Sequence, residues 1–98
     1  SLPALISGFT GDERNVLLTL SRMWFTLETE EITSKDIAAE WVIPKLPAKF
    51  SPLLHTAKEA YLGNLSDEWG SVEKEAAALV NFMKERIEDL LAFRKSEK

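Results

Sequence analysis

Residues 11–22 read Gly11-Asp-Glu-Arg-Asn-Val-Leu-Leu-Thr-Leu-Ser-Arg22, and their polar and apolar residues recur with the period of an α-helix. At about 100° per residue, four polar side chains fall within about 80° of one another on such a helix. These four are Asp12, Asn15, Thr19 and Arg22. The wider adjoining arc is apolar and predicts the buried face: Val16, Leu17, Leu20, Met23 and Trp24. The stretch therefore predicts an amphipathic helix that carries a stripe of hydrogen-bonding side chains beside its buried face.

The polar stripe has two interpretations. An acid, an amide, a hydroxyl and a guanidinium in one row are typical of a helix that lines a polar ligand cleft. Alternatively, Asp12 is a first-turn acid that favours the helix dipole, Thr19 faces water, and Arg22 makes a surface ion pair of little energetic value. The residues alone leave both interpretations open.

Composition bounds the class of protein. The 98 residues are 45% hydrophobic, which suits one small domain with a buried core. No cysteine and a single histidine exclude disulfides, thiolate metal sites and two-histidine zinc motifs. A net charge of −4 argues against broad binding to nucleic acid or to anionic membranes. Without an apolar span or a visible signal peptide, we expect a cytoplasmic protein.

The sequence on either side of residues 11–22 predicts two helices. Residues 2–6 resemble the tail of a first helix. Thr10, with Glu13 three residues later, predicts a capping box at the start of the second helix, which should run to about Leu27. An acidic connection at residues 28–31 follows; it is interpreted as a solvated turn, or as a set of glutamates that a cationic partner uses.

Three further helices follow in the sequence. Thr33 or Ser34 is predicted to cap a short third helix, which two prolines end. Its predicted apolar side and the prolines are Ile37, Ala38, Trp41, Pro44 and Pro47. Ser51 is predicted to cap a fourth helix that ends at Gly63. The predicted apolar side of this fourth helix comprises Leu53, Leu54, Ala57, Ala60 and Tyr61.

The last helix has the longest apolar pattern. Ser71 is its predicted N-cap, residues 94–98 are predicted to fray, and Trp69 before it is available as an apolar plug. Its apolar positions are Val72, Ala76, Leu79, Val80, Met83, Ile87, Leu90 and Leu91. Periodicity does not decide whether this helix packs within the domain or on a neighbour. The whole pattern predicts an all-α, compact bundle of about five helices.

Lys35 is the second unusual residue in the sequence. It lies in the first turn of a predicted helix, where the dipole and free N–H groups disfavour a cation and favour an anion. Across the turn between two helices, Lys35 and Arg22 are expected to converge on one polyphosphate. The alternative is a solvated lysine balanced by Asp36.

Four sequence segments, taken in this order along the chain, resemble those of a known family. They are Gly11-Asp-Glu-Arg-Asn-Val-Leu-Leu-Thr-Leu-Ser-Arg-Met-Trp24, Glu31-Ile-Thr-Ser-Lys-Asp-Ile-Ala-Ala-Glu-Trp41, Leu46-Pro47 and Glu59-Ala-Tyr-Leu-Gly63. Together they resemble the C-terminal helical domain of the aminoglycoside adenylyltransferases that modify streptomycin and spectinomycin. The match runs from about Gly11 to Leu91.

This resemblance implies a two-domain enzyme. In the family, an N-terminal nucleotidyltransferase domain carries the metal-binding acids and transfers AMP from Mg-ATP to an antibiotic hydroxyl. Residues 1–98 are then expected to be an excised C-terminal substrate-binding domain whose partners are that N-terminal domain, ATP and the antibiotic. Because these 98 residues contain neither a catalytic base nor magnesium ligands, we expect them to be inactive alone.

The resemblance also implies roles for four residues. Arg22 and Lys35 correspond to nucleotide contacts, Asp12 corresponds to an aminoglycoside contact, and Asn15 is a neighbour of the antibiotic. Streptomycin-modifying members have an aspartate-tryptophan pair where this chain has Gly8-Phe9, so the resemblance favours spectinomycin. The competing hypothesis is an acidic helical module that binds a protein partner through its polar stripe and has no catalytic role.

Overall fold

The structure is a computed structural model that describes residues 9–96. Within this range, four α-helices are present: α1 (Glu13–Thr29), α2 (Lys35–Val42), α3 (Ser51–Tyr61) and α4 (Glu73–Ser96). A 3₁₀ turn follows α2 at Ile43–Lys45 and another precedes α4 at Gly70–Val72. The described residues include no strand, which confirms the all-α prediction. The helix predicted at residues 2–6 lies outside the described residues.

None of the helices within residues 9–96 combines the length and the apolar character that a membrane crossing requires. The longest, α4, carries charged side chains along much of its length.

The first turn of α1 differs from the predicted capping box. Asp12, not Thr10, is the N-cap, because Gly11 adopts φ +85°, a left-handed conformation that turns the chain just before the helix. The Asp12 N–H donates to the Phe9 carbonyl at 2.9 Å across this turn. The Glu13 carboxylate does reach back, but it accepts the Gly11 N–H at 3.2 Å. This contact fixes the turn against the helix that it begins.

The segment between α1 and α2 runs back along α1 and is not a tight turn. Ile32, in its middle, lies in one concavity with Thr19 and Met23 of α1. At its end, the Lys35 ammonium donates to the Asn15 side-chain carbonyl at 3.0 Å, although these residues are 20 apart in sequence. Consequently α2 begins beside the N-terminal half of α1. Ser34 is its N-cap, as one of the two predicted alternatives proposed.

The core surrounds α1, which packs against α2, α3 and α4, so the last helix packs within this domain. The predicted apolar arc of α1 is buried, apart from a half-buried Met23. Five of the eight apolar positions predicted for the last helix are also buried: Ala76, Leu79, Val80, Met83 and Ile87. Leu91, by contrast, is 42% exposed. Trp69 is buried against this core, as predicted.

Two residues predicted to be apolar contacts are exposed instead. Ile37 is 52% exposed because α2 turns Ala38, Ala39 and Val42 toward the core. Tyr61 is 47% exposed, since it lies in the last turn of α3 beyond the buried positions of that helix. Both errors arise because a helical pattern defines a face and not its edges.

The predicted end of α3 is confirmed, whereas the predicted N-caps of α3 and α4 are wrong. Gly63 adopts φ +85° after α3, and the Asn64 N–H donates to the Glu59 carbonyl at 2.9 Å, which confirms the predicted left-handed end. Ser51 and Ser71 are not N-caps, because α3 begins at Ser51 itself and Ser71 lies within a 3₁₀ turn.

The end of α4 is helical further than predicted. The helix continues to Ser96, and the Arg94 guanidinium donates to the Leu27 carbonyl at 2.6 Å. The prediction that residues 94–98 fray is therefore wrong for residues 94–96, because this bond holds the last turns of α4 against α1. Residues 97 and 98 are outside the described range.

Candidate functional site

The polar stripe occupies one face of α1. Asp12 and Arg22 are exposed, while Asn15 and Thr19 between them are half-buried. With a rise of about 1.5 Å per residue, the stripe extends about 15 Å along the helix axis. Its acidic end is the N-cap of α1, where the helix dipole favours a carboxylate.

Three of the four predicted site residues form one hydrogen-bonded row. The Lys35 ammonium donates to Asn15 Oδ1 at 3.0 Å, and Asn15 Nδ2 donates to Asp12 Oδ2 at 3.2 Å. Because a side-chain amide has one carbonyl and one amino group, Asn15 satisfies a cation and an anion at the same time. The structure therefore brings together a cation, an amide and a carboxylate that are separated in sequence.

Arg22, the fourth predicted residue, lies apart from this row. It lines a concavity of about 420 Å³ between α1, Ile32 and Leu91. Its guanidinium makes no hydrogen bond or ion pair with any other residue between positions 9 and 96. The predicted convergence of Arg22 and Lys35 across a turn is not observed, because the segment after α1 carries Lys35 back toward Asn15. Lys35 instead lies beside Asn15, and Asn15 is about two helical turns from Arg22 along α1.

Two smaller concavities flank the row, and they differ in charge. The first has a volume of about 230 Å³ and is lined by Arg14, Asn15, Leu18, Lys35 and Tyr61. It is basic and has an aromatic wall, since the Lys35 ammonium lies 5.9 Å from the centroid of the Tyr61 ring.

The second small concavity is acidic and lies beside the N-terminus of α1. It also has a volume of about 230 Å³, and its lining comprises Gly11, Asp12, Glu13, Arg14, Asn15, Asp67 and Trp69. Asn15 and Arg14 separate it from the basic concavity. The basic concavity thus suits an anionic ligand group, and the acidic concavity on the same surface suits a cationic one.

Sequence reasoning missed the contribution of Arg14 and of the loop before α4. Arg14 lies 3.5 Å from Asp67 and donates to the Ala60 carbonyl at 3.4 Å. These contacts join residues that are more than 40 positions apart, so no local pattern indicates them. The only sequence signal was the position of Arg14 next to the stripe.

Glu28 has a cationic partner in Arg86, which is the second interpretation of the acidic connection and not the solvated turn. It lies in the last part of α1, accepts the Trp24 Nε1–H at 3.0 Å and pairs with Arg86 of α4 at 2.7 Å. The hydrogen bond from Trp24, with help from Arg86, holds the pKa of Glu28 below its ordinary value of 4.5. A lowered pKa in the folded state stabilises the fold above pH 4.5 and loses that effect as the pH falls through the folded-state pKa.

Replacing Glu28 with glutamine should lower the free energy of unfolding by up to about 1 kcal/mol at pH 7, the usual range for a partly exposed ion pair. The difference from the wild type should shrink as the pH falls well below 4.5, where the carboxylate is protonated in both states. Urea unfolding at pH 7 and at low pH measures this. Glu31→Gln removes the same charge from an exposed position and should change little. A loss that is equal at both pH values would contradict the assignment.

Comparison with known proteins places this fold. The chain matches the family model described as aminoglycoside adenylyltransferase, C-terminal domain, over residues 1–86. It is 78% identical over 91 residues to a spectinomycin 9-adenylyltransferase from Campylobacter jejuni and 54% identical over 91 residues to one from Staphylococcus aureus. Each alignment covers 93% of this chain and 35% of the relative.

A solved structure has the same fold. It is the crystal structure of a spectinomycin adenyltransferase from Enterococcus faecialis with ATP and spectinomycin, and its TM-score to this chain is 0.82 at 32% identity. The match covers 90% of this chain and 34% of that one. The fold is thus that of a helical domain from antibiotic-modifying transferases. This chain belongs to the aminoglycoside adenylyltransferase C-terminal domain family, and it spans about a third of the length of the relatives it matches.

Proposed function

We propose that residues 1–98 are the substrate-binding helical domain of a two-domain enzyme that transfers AMP from ATP to a hydroxyl of spectinomycin and so confers resistance. The observation that carries this proposal is the row of Lys35, Asn15 and Asp12 beside two concavities of opposite charge. Similarity to spectinomycin 9-adenylyltransferases supports the choice of reaction. An N-terminal nucleotidyltransferase domain would close the other side of the cleft.

The nucleotide would be bound by Arg22 of the stripe and by Lys35 of α2. The chain has a net charge of −4, so ATP is repelled by the domain as a whole and must be bound by local positive groups. Arg22 offers a guanidinium that suits phosphate oxygens, and Lys35 offers an ammonium in the basic concavity. The separation of these two cations suits an extended polyphosphate better than a single phosphate.

The antibiotic would be bound at the acidic end of the row. Asp12 is exposed, and its carboxylate can accept hydrogen bonds from the hydroxyl or ammonium groups of an aminocyclitol. Asn15 would contact the same ligand through its amide. By the family resemblance, Gly8-Phe9 corresponds to the aspartate-tryptophan pair of streptomycin-modifying members, and this chain has glycine in place of that aspartate. A guanidino sugar would lack that partner, which favours spectinomycin.

Magnesium has no proposed ligands in this chain. Among residues 9–96, no three histidine, aspartate or glutamate side chains lie together in a way that could bind a metal ion. From the family resemblance, the proposal assigns the ion, and the activation of the phosphoryl group that it supplies, to the N-terminal domain. The residues described here would bind and orient substrates, and we expect the 98-residue chain alone to be inactive.

Isothermal titration of the full-length protein with ATP and with each antibiotic tests the proposal. Arg22→Ala should weaken ATP binding about 10- to 100-fold, the range for a lost hydrogen bond to a charged group. Its thermal stability should stay unchanged, because Arg22 has no polar partner in the described part of the chain. Lys49→Ala removes a cation from a different surface, beside Phe50 and Phe82, and should leave ATP affinity unchanged.

The same titrations test the preference for spectinomycin over streptomycin. They also test the competing hypothesis of a protein-interaction module. Spectinomycin should bind more tightly than streptomycin, and equal affinity would contradict the proposed specificity. Unchanged ATP affinity in Arg22→Ala would remove its role at the nucleotide. If the full-length protein binds neither ATP nor an antibiotic, the acidic interaction module becomes the better hypothesis.

A further inference from the structure

Arg14 stands between the two small concavities and lines both of them. One guanidinium nitrogen lies 3.5 Å from Asp67 Oδ1 and donates to the Ala60 carbonyl at 3.4 Å. The side chain of Arg14 is 47% exposed, whereas that of Asp67 is only 18% exposed. A long, partly exposed cation therefore lies beside an acid that is less exposed than itself.

Asp67 is fixed in place from the core side. Its Oδ2 accepts the Trp69 Nε1–H at 2.7 Å, and the Trp69 ring is buried against the core. One carboxylate oxygen is thus anchored through Trp69, and the other faces Arg14. This arrangement sets where the Arg14 guanidinium lies.

Without Asp67, Arg14 would have another carboxylate at hand. Asp12 lines the same acidic concavity, is exposed, and accepts a hydrogen bond from the amide of Asn15. Glu13 is less available, because it is buried and accepts the Gly11 N–H. Asp12 is thus the exposed carboxylate that shares a concavity with Arg14 and that a released guanidinium could approach.

We propose that Asp67 is a positioning residue that keeps the Arg14 guanidinium away from Asp12, so that Asp12 remains available to an ammonium group of the antibiotic. This inference rests on the proposed function, which assigns Asp12 to the antibiotic. An arginine paired with Asp12 competes with a ligand cation for the same oxygens. Asp67 thereby tunes affinity for the antibiotic without touching it.

Asp67→Asn in the full-length protein tests the inference. Asparagine keeps a carbonyl oxygen that can accept the Trp69 Nε1–H, while the charge and the acceptor oxygen that face Arg14 are both lost. The Kd for spectinomycin should rise about 3- to 5-fold, the scale of one partly exposed ion pair, and the Kd for ATP should stay the same. Asp67→Glu retains the charge and should bind spectinomycin almost as tightly as the wild type.

The decisive measurement is rescue by a second substitution. In the double variant Arg14→Ala with Asp67→Asn, no guanidinium competes for Asp12, and the Kd for spectinomycin should return to within about 2-fold of the wild type. If Asp67 only supports the loop, the double variant will bind no better than Asp67→Asn, and the inference is overturned. Asp12→Asn tests the proposed antibiotic site separately from the role of Asp67. Unchanged spectinomycin affinity in that variant would refute the proposed antibiotic site itself, whereas failed rescue refutes only the role of Asp67.

Discussion

Leu79→Ala is expected to lower the free energy of unfolding of the 98-residue chain by about 2–5 kcal/mol. Leu79 lies in α4, is completely buried and belongs to the core formed with α1. Truncation removes apolar contacts and leaves a cavity that a closely packed helix pair cannot fill. Since small domains are stabilised by only about 5–15 kcal/mol, this single change should remove a large part of the total.

Leu91→Ala is the matched control, because it makes the same chemical change in the same helix at a position that is 42% exposed. It should cost less than about 0.5 kcal/mol. Urea unfolding followed by circular dichroism measures both variants, and an unchanged slope with denaturant would show that only stability has changed. Equal losses in the two variants would mean that α4 does not present the face described here.

The fold was predictable to the extent that helices are local. The apolar period of α1 and α4 predicted which residues are buried, because 3.6-residue periodicity and burial have the same geometric cause. Boundaries were less predictable. Gly11 delays the start of α1 through its positive φ, and Arg94 extends α4 through a contact with Leu27, 67 residues away in sequence. Neither effect is visible in a window of neighbouring residues.

The candidate site was predictable for the same reason and only in part. Asp12, Asn15 and Arg22 lie on one helix, so their common face follows from spacing alone. The place of Lys35 depends on the path of residues 30–34, which the sequence presented as an acidic connection followed by a helix cap. Their return along α1 moves Lys35 to Asn15, and this contact organises the site more than the expected pairing with Arg22.

The contacts that loop residues make at the candidate site were not predictable from the helical pattern. For the segment between Gly63 and the last helix, the sequence predicted only that Trp69 is available as an apolar plug, and Trp69 is indeed buried. Its polar neighbour Asp67 gained importance only when the fold placed it next to Arg14. Functional contacts on loops depend on tertiary structure, and for this reason they are the least accessible from one sequence.

Trp69→Ala is expected to have the largest effect on stability, about 3–5 kcal/mol. The ring is only 8% exposed and packs on the core, and its Nε1–H donates to Asp67 at 2.7 Å. Truncation removes the apolar contacts and also releases the acid that holds Arg14. At about 4–8 °C per kcal/mol for a domain of this size, the midpoint of thermal unfolding should fall by more than about 12 °C.

Trp69→Phe separates the two contributions of Trp69, because phenylalanine keeps most of the apolar surface but cannot donate to Asp67. It should cost about 1 kcal/mol for the lost hydrogen bond plus the difference in ring volume, well below the cost of alanine. Calorimetric unfolding of both variants at pH 7 measures the difference. If Trp69→Ala unfolds at the wild-type temperature, the loop does not pack on the core, and the support that it gives to the acidic concavity is absent. If instead alanine and phenylalanine are equally destabilising, the hydrogen bond to Asp67, and not the buried ring, holds the loop on the helices.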